Sequence, residues 1–264
     1  MVSMMRSSRL AAGIGVALFA MACTQSSPSG TADGTWSGQD SQREYDFDAP
    51  LNWVPRGVPT GTAIIQADAP SAPFILFSSP TTTLGAIRLT GNLGITIETG
   101  RTVSVLSGGL TLCCKAPKAM INGTLTGNVV LGEVPGQAAH QIFGSGTING
   151  NVNLLTGTVS PGNGEDAPGM TIVGTYKMSA RSAIAIDAWP KVPSHLDVSG
   201  TAELSGLLAI FIDDLAKVPT RPFRVLTAGQ GVRGTFDIVK VVNAPFKAEA
   251  RYDKPNEVWI TLSQ

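Results

Sequence analysis

Residues 123–131 read Gly-Thr-Leu-Thr-Gly-Asn-Val-Val-Leu, and residues 146–154 read Gly-Thr-Ile-Asn-Gly-Asn-Val-Asn-Leu. The second stretch is a near-copy of the first, and its numbering is offset by 146 − 123 = 23. Each copy holds short runs of Val, Ile, Leu and Thr closed by Gly and Asn, and it is too small to bury its own apolar face. Repeats of this length stack on one another and share a core. The echo therefore predicts a solenoid.

Short β-favouring runs continue on both sides of the echo, for example at 86–90, 102–106 and 258–262. Many of them alternate apolar and polar residues, the period of a strand with one buried face. Gly and Asn fall between the runs and suit sharp corners because they tolerate positive φ. We therefore predict an all-β protein, a single parallel β-helix. A period of about 23 residues predicts about nine coils.

Composition excludes one class of partner. The chain has 264 residues, of which 43% are hydrophobic and 14% charged, and Lys+Arg and Asp+Glu are balanced at 19 each. A balanced chain without a basic run has no field that attracts nucleic acid or an anionic membrane surface. We predict no nucleic-acid partner.

The N-terminus carries a processing signal. Arg6 and Arg9 precede an apolar stretch, 10–21, which is too short for a membrane-spanning helix and ends in Ala20-Met-Ala22 followed by Cys23. Two processing routes fit: ordinary cleavage after Ala22, or lipid attachment to Cys23, because a small residue directly before Cys resembles the lipobox of bacterial lipoproteins. We favour the lipoprotein, although Ala20 stands where Leu is usual.

These signals divide the chain into three parts. We predict a signal peptide at 1–22, a flexible Ser/Gly/Pro-rich tether at 23–44 and the β-helix domain at 45–264. The expected location is outside the cytoplasm, at the outer membrane or cell surface, with the periplasm or secretion as the alternative. The membrane is contacted only through the lipid anchor.

Four segments resemble one family, at 152–162, 170–176, 196–208 and 223–236. Among them are a Ser-Pro-Gly turn at 160–162 and a Gly-Val-Arg-Gly-Thr-Phe ending at 231–236. Together they resemble the passenger domains of bacterial autotransporters, and more narrowly the autotransporter-associated β-strand repeat. The resemblance covers about 123–242 well and 36–112 weakly. It implies a right-handed, surface-displayed β-helix with structural or adhesive roles, whose ligand is a host or matrix surface molecule or a polysaccharide.

The sequence departs from that family after the passenger-like ending. Autotransporters end in a C-terminal membrane barrel, whereas the passenger-like ending here is followed by only a short stretch up to Gln264, so we expect a passenger domain without that β-barrel. We expect either a stand-alone anchored rod or a passenger that depends on a separate translocator.

Two motifs with apparent chemistry have simpler interpretations. Residues 229–234 fit G-x-G-x-x-G, but a dinucleotide site needs a helix to follow, and 235–242 is a β-type run. His195 and Asp197 share a strand face, as a base and its orienting carboxylate would, yet no G-x-S-x-G motif accompanies them. We predict a turn and a solvent-facing strand edge, with no cofactor and no catalytic residue.

The adjacent Cys113 and Cys114 allow three interpretations. Successive strand residues point to opposite faces, which favours one buried thiol and one outward thiol. A vicinal disulfide or an intermolecular link are the alternatives. The flanking residues offer no His or acidic partner, so we predict no metal site.

The rival function is a polysaccharide-binding or polysaccharide-cleaving β-helix of the pectate-lyase type, which gathers several Asp around Ca²⁺. Here the acidic residues only pair locally, at 165–166 and 213–214, whereas Ca²⁺ takes six or more oxygens. We favour a non-enzymatic protein. An enzyme should place acidic and basic residues of three or more coils on one outer face, while a rod should show rows of Asn, Thr and Ser there.

Four tryptophans can stack on sugar rings, namely Trp36, Trp53, Trp189 and Trp259. Trp53 and Trp259 fall near the two ends, where we expect caps to shield the core. Trp189, which is followed by Pro190, is the best candidate for an exposed platform.

Overall fold

The chain folds as a parallel β-solenoid of about 6 turns, with 51% of its residues in strands and 2% in helices. The computed structural model describes residues 31–69, 71, 73–132, 140–212, 214–215 and 218–264. The prediction of an all-β parallel β-helix is confirmed.

The strands form two sheets. The 17-stranded sheet contains β1 (Gly34–Trp36), β2 (Trp53–Val54), β3 (Thr62–Ile65), β5 (Thr81–Leu89), β7 (Thr102–Leu112), β9 (Thr124–Thr126), β10 (Val129–Leu131), β12 (Thr147–Asn149), β13 (Val152–Leu154), β15 (Gly169–Ile172), β16 (Tyr176–Met178), β18 (His195–Val198), β19 (Ala202–Leu204), β21 (Phe223–Ala228), β22 (Val232–Gly234), β24 (Lys247–Arg251) and β25 (Glu257–Ser263). The eight-stranded sheet contains β4 (Phe74–Leu76), β6 (Gly94–Ile97), β8 (Lys118–Ile121), β11 (Gln141–Gly144), β14 (Gly157–Pro161), β17 (Ser182–Asp187), β20 (Leu207–Phe211) and β23 (Ile238–Val241). A 3-10 turn at Pro50–Asn52 precedes β2.

Each central coil has three strands on three sides. Strand β9 is followed by β10 and then β11, and each pairs in parallel with its counterpart one coil later, β12, β13 and β14. We call the three sides stack 1 (β9, β12, β15, β18, β21), stack 2 (β10, β13, β16, β19, β22) and stack 3 (the eight-stranded sheet). The long strands β5 and β7 contribute their first halves to stack 1 and their second halves to stack 2.

The core consists of apolar rows that run along the solenoid. On the inner face of stack 1, Leu125, Ile148, Ile172 and Val198 pair in succession and are all buried. Stack 3 faces them with Ile142, Val159, Ile184 and Leu208. Each such side chain contributes about 1.5–3 kcal/mol through burial. The apolar half of the repeat therefore becomes a continuous core.

Glycine and asparagine occupy the corner between stacks 1 and 2, as predicted. A Cβ on Gly150 would collide with the carbonyl oxygen of Gly127, and one on Gly174 would collide with that of Gly150. Beside this column, Asn128 Oδ1 accepts a hydrogen bond from the backbone N–H of Asn151 (3.0 Å). Glycine is therefore required at this corner because the backbones of successive coils are in contact there. Asparagine is favoured because its side chain accepts a hydrogen bond from a backbone N–H of the next coil.

The prediction of nine coils is wrong. The positions that pair along stack 1 are 81, 102, 124, 147, 171, 197 and 227, and each interval is wider than the one before it. The coils lengthen towards the C-terminus, so the chain completes about 6 turns. Residues at both ends are also used for caps.

The N-terminal cap is an aromatic cluster. The ring of Trp53 lies edge-on to Trp36 (centroids 5.1 Å apart) and to Phe47 (4.9 Å), and Phe47 stacks on Phe77 (4.3 Å). The indole N–H of Trp53 donates to the carbonyl oxygen of Phe47 at 2.8 Å. Trp36 belongs to β1, which pairs with β2 and β3 although it falls inside the predicted tether 23–44. The folded part of the chain therefore begins before residue 45.

The C-terminal end is closed by antiparallel strands. Strand β25 pairs with β21 on one side and with β24 on the other. It buries Val258 and Ile260 against the last coil. Antiparallel pairing ends the parallel stack and covers its final edge.

Candidate functional site

A groove of about 590 Å³ opens on the outer face of stack 3. We call it the stack-3 groove. Its lining residues come from five successive strands, from the residue before β11 and from the residue after β14; they are Lys118, His140, Gln141, Phe143, Thr158, Ser160, Gly162, Ala185, Asp187 and Phe211.

The shape of the groove is set by the positions of large and small side chains on the outer face of stack 3. Phe143 on β11 stands beside Ser160 on β14, and Phe211 on β20 stands beside Asp187 on β17. The short side chains of Ser160 and Ala185 lie between the two rings. Because β11 and β20 are three strands apart, the strands that carry the two rings are separated by about 14 Å along the solenoid. Two half-buried aromatic walls thus enclose a floor of small residues.

The wall at Phe143 is braced from behind. The Phe74 ring lies over Gly94, where a Cβ would meet Phe74 ring carbons at 2.5 Å. It reaches the Phe143 ring edge to face, with 5.9 Å between centroids. Since Gly94 has no side chain, Phe74 can lie on the sheet and support Phe143.

Polar groups complete the groove. Gln141 Nε2 donates to the hydroxyl of Ser160 at 3.1 Å, and Thr158 pairs with Gln141 in register. Asp187 is held by its backbone, because its N–H donates to the hydroxyl of the buried Ser194 (2.8 Å) and its carbonyl accepts the Ser194 N–H (2.8 Å). Lys118 on β8 is three strands from Asp187 and in register with Ala183, four residues before it, so the two backbone positions are about 20 Å apart. The two charged groups therefore stand at opposite sides of the groove.

Trp189 lies at the edge of this groove. Its Cη2 atom is 3.2 Å from the point where a Cβ on Gly162 would stand. The side chain is half-buried. The tryptophan predicted as a platform is thus next to the groove and partly accessible.

His140, the residue before β11, is a buried titratable group. It is 1% exposed, and neither ring nitrogen has a hydrogen-bond partner among the described residues. Burial lowers the pKa of His140 from its ordinary value of 6.5, because the charged imidazolium would lose its hydration. The ring is therefore neutral at pH 7.

The outer face of stack 1 is a row of threonines. Thr81, Thr102, Thr124, Thr147 and Thr171 pair in succession, and Asp197 and Thr227 continue the row. This is the arrangement that the sequence analysis predicted for a rod.

Stack 2 carries a short charged row on its outer face. Lys177 pairs in register with Glu203, which pairs with Arg233, so three adjacent coils each present a charge. Lys177 Nζ and Glu203 Oε2 are 3.0 Å apart, and both side chains are largely exposed. Charges of both signs from three coils on one outer face are the arrangement that the sequence analysis predicted for an enzyme, but this row contains one carboxylate and lies outside the groove. Alternating exposed charges of this kind neutralise one another and contribute little to stability.

His195 and Asp197 share the outer face of stack 1, as predicted. His195 Nε2 lies 3.5 Å from Asp197 Oδ2, and Thr227 Oγ1 donates to Asp197 Oδ1 at 2.5 Å. The hydroxyl therefore contacts the carboxylate rather than the imidazole. A nucleophile must be within hydrogen-bond reach of its base, so this chain of contacts is not a catalytic triad.

The two cysteines follow β7. Cys113 is buried and Cys114 is half-exposed, in agreement with one inward and one outward thiol. Their sulfurs are 2.8 Å apart, and Cys114 has a φ of 77°. The vicinal disulfide stays a prediction, which the mass of the chain before and after reduction tests.

The acidic pairs do not assemble a cation site within the described residues. Glu165 lies 3.9 Å from Lys191, and Asp213 falls outside the described residues. No group of three or more His, Cys, Asp and Glu side chains that could hold a metal ion occurs in the described part of the chain.

The remaining predicted positions have structural roles. Residues 229–231 form the turn between β21 and β22, and residues 232–234 are β22 itself, so a strand rather than a helix follows the turn. Trp53 is buried in the N-terminal cap, as expected. Trp259 is half-buried on β25, where the ammonium of Lys254 lies 5.5 Å from the centre of its ring.

The signal peptide and Cys23 lie outside the described residues. Within the described ranges, none of the helices has the length and apolar character needed to cross a membrane.

Sequence reasoning missed the groove. Gln141 and Phe143 alternate with buried residues, which signals an outward strand face. However, Gln141 pairs with Lys118 of the preceding coil and with Thr158 of the following one, and these two intervals are unequal. The period of the repeat at 123–154 therefore does not align the strands that form the groove.

Comparisons with known proteins do not assign a family. No family model matches the chain, and no curated protein is significantly similar to it. The function is therefore argued from the fold and from its outer faces.

Proposed function

We propose that this chain is an exported, non-enzymatic β-solenoid that resembles an autotransporter passenger domain and presents an adhesive surface outside the cell. The observation that carries the proposal is the threonine row on stack 1. Uncharged hydroxyls in register stabilise a sheet face by cross-strand contact and offer no acid or base for catalysis.

A lipid on Cys23 is the proposed anchor. The connection from Cys23 to the start of β1 at Gly34 spans at most about 40 Å when fully extended. A connection of this length keeps the aromatic cap close to the membrane surface while the coils extend away from it. A separate translocator or the lipoprotein route delivers the rod.

The test is expression of the full chain in a diderm bacterium, with Cys23→Ser as the matched control. Intact mass should show a lipid-modified Cys23, and external protease should cleave the protein on whole cells. The Cys23→Ser variant should lose the lipid mass and leave the membrane fraction. An unmodified wild-type protein that is protected from external protease contradicts the proposal.

Polysaccharide cleavage is the second candidate function, because the stack-3 groove has the aromatic and polar lining of a saccharide site. Its two charged groups argue against it. The backbone positions of Lys118 and Asp187 are about 20 Å apart, whereas the two carboxyl groups of a glycosidase stand about 5–10 Å apart. Among the described lining residues Asp187 is the only carboxylate, far short of a Ca²⁺ ligand set.

Prolonged incubation with plant and bacterial polysaccharides tests cleavage directly. We expect neither new reducing ends nor unsaturated products. Product formation that Asp187→Asn abolishes would replace the adhesive function with the enzymatic one.

A further inference from the structure

We propose that the stack-3 groove binds one chain of an uncharged polysaccharide, with sugar rings stacked on Phe143 and Phe211. The inference deepens the proposed adhesive function and rests on it for its biological setting. The binding itself depends only on the groove.

The aromatic rings supply the apolar contact. One face of a pyranose ring presents C–H groups, which carry partial positive charge and pack on the negative face of an aromatic ring. Phe143 and Phe211 are both half-buried, so part of each side chain is accessible. Phe74 fixes Phe143 from behind, which reduces the entropy lost when a ligand orders the ring.

The floor supplies polar partners for sugar hydroxyls. A hydroxyl both donates and accepts hydrogen bonds, and the same holds for the Ser160 and Thr158 hydroxyls and the Gln141 amide. The bond from Gln141 Nε2 to Ser160 Oγ holds two of these groups in place before a ligand arrives. Because the floor residues are short, a ring can descend between the two aromatic walls.

The charge distribution favours an uncharged chain. Lys118 and Asp187 have opposite signs and stand at opposite sides of the groove, so their fields largely cancel over the floor. A polyanion that gained contact with Lys118 would also place carboxylates near Asp187, where like charges repel. A neutral polysaccharide meets no such penalty.

The spacing favours a polymer over a single sugar. The strands that carry Phe143 and Phe211 are about 14 Å apart along the solenoid, farther than one pyranose ring can bridge. Contact with both rings therefore requires several linked sugar units that lie across β11, β14, β17 and β20. Affinity should rise with chain length until both walls are engaged, as expected for linked contacts.

The experiment is affinity electrophoresis of the purified full-length chain in native gels that contain one soluble polysaccharide each. The neutral probes are a β-glucan, an α-glucan, a galactomannan and a xylan, and the acidic probe is polygalacturonate. We expect at least one neutral probe to retard the protein. Phe143→Ala and Phe211→Ala should each raise the dissociation constant about tenfold. Ala185→Trp, which fills the floor from an outward position, should abolish retardation.

Trp259→Ala is the matched control, because Trp259 is a half-buried aromatic on another part of the molecule. It should leave retardation unchanged. Melting curves verify that all four variants fold. The inference is overturned if no neutral probe retards the chain, if only polygalacturonate does, or if Trp259→Ala rather than the groove variants removes binding.

Failure of the proposed function gives a different result. A chain that is not lipidated and stays in the periplasm, yet is retarded by a neutral glycan through Phe143, contradicts surface display and leaves the groove assignment intact. A surface-exposed lipoprotein that no neutral probe retards supports surface display and contradicts the groove assignment.

Discussion

Stacks 1 and 3 are built by the same coils, yet their outer faces differ. Stack 1 repeats one residue type, and Thr102, Thr124, Thr147 and Thr171 form a level row. Stack 3 places Phe143 beside Ser160 and Phe211 beside Asp187, so its surface has walls and a floor. A row of identical side chains gives stack 1 a level outer face, whereas the mixture of large and small side chains on stack 3 forms the groove.

The difference follows from where the coils vary in length. In the coils that begin at β9 and β12, stacks 1 and 2 are joined by a Gly-Asn corner of constant length, whose backbone contacts leave no room for a side chain. Between stacks 2 and 3 the chain varies more: β10 ends at Leu131 and β11 begins at Gln141, whereas β13 ends at Leu154 and β14 begins at Gly157. Because these connecting segments differ in length, the residues that enter stack 3 are not spaced by the repeat period. Outward positions there can therefore differ from coil to coil.

The largest expected effect comes from breaking the corner that both stacks share. In Gly150→Ala the added Cβ collides with the carbonyl oxygen of Gly127, which cannot move without separating two coils. We expect the free energy of unfolding to fall by about 3 kcal/mol. Chemical denaturation measures it. Asn149→Ala, an adjacent exposed position, should change stability by less than about 0.5 kcal/mol; equal effects of the two would contradict the tight corner.

The next largest effect is a pH dependence of stability caused by the buried His140, which precedes β11 of stack 3. Burial lowers the pKa of His140, so above pH 6.5 both folded and unfolded states are neutral there. Below pH 6.5 the unfolded chain binds a proton that the folded chain does not, and stability should fall by up to about 1.4 kcal/mol per pH unit. The fall should stop once the pH drops below the lowered pKa.

Variants separate this effect from other titrations. His140→Leu should flatten the loss of stability between pH 6.5 and 5. The carboxyl groups of Asp46, Asp68, Asp237 and Glu257 have lowered pKa values and therefore act at more acidic pH. A slope that survives in His140→Leu would locate the proton uptake elsewhere.

A smaller effect should come from the brace behind the groove. Phe74→Ala removes an edge-to-face contact with Phe143 and leaves the groove lining unchanged. A double-mutant cycle with Phe143→Ala should give a coupling of about 1 kcal/mol in stability. The Phe74→Ala variant should also bind glycan more weakly, because the Phe143 ring can then move into the space that Phe74 occupied over Gly94. Additive effects would mean that Phe143 holds its position alone.

The contrast also explains what could be predicted from sequence. Strict repetition at 123–131 and 146–154 reveals the coil, its glycine corner and its apolar rows, because all three depend on nearest neighbours at a fixed spacing. The number of turns could not be predicted, since the spacing of paired positions along stack 1 widens from coil to coil. The groove was missed because it joins residues at unequal spacings, such as Phe143 and Ser160.

The tether boundary shows the same limit at the N-terminus. Trp36 follows a Ser/Gly/Pro-rich stretch, and nothing in its neighbours indicates a strand. Its burial depends on Trp53 of the antiparallel strand β2, whose ring it contacts. A contact between two residues that occur once each leaves no periodic signal, so only the structure reveals it.

The smallest expected effect lies on stack 1 and decides which face is adhesive. Thr147→Ala removes one outward side chain from the middle of the row and leaves its neighbours Thr124 and Thr171 in place. Cross-strand pairs of this kind contribute about 0.2–1 kcal/mol, so the loss of stability should stay near 0.5 kcal/mol. Retardation by neutral polysaccharide should not change, because the threonine row and the groove lie on different sides of the coil. If Thr147→Ala removed retardation while Phe211→Ala did not, the regular face would be the adhesive one, and the relief of stack 3 would have only a packing role.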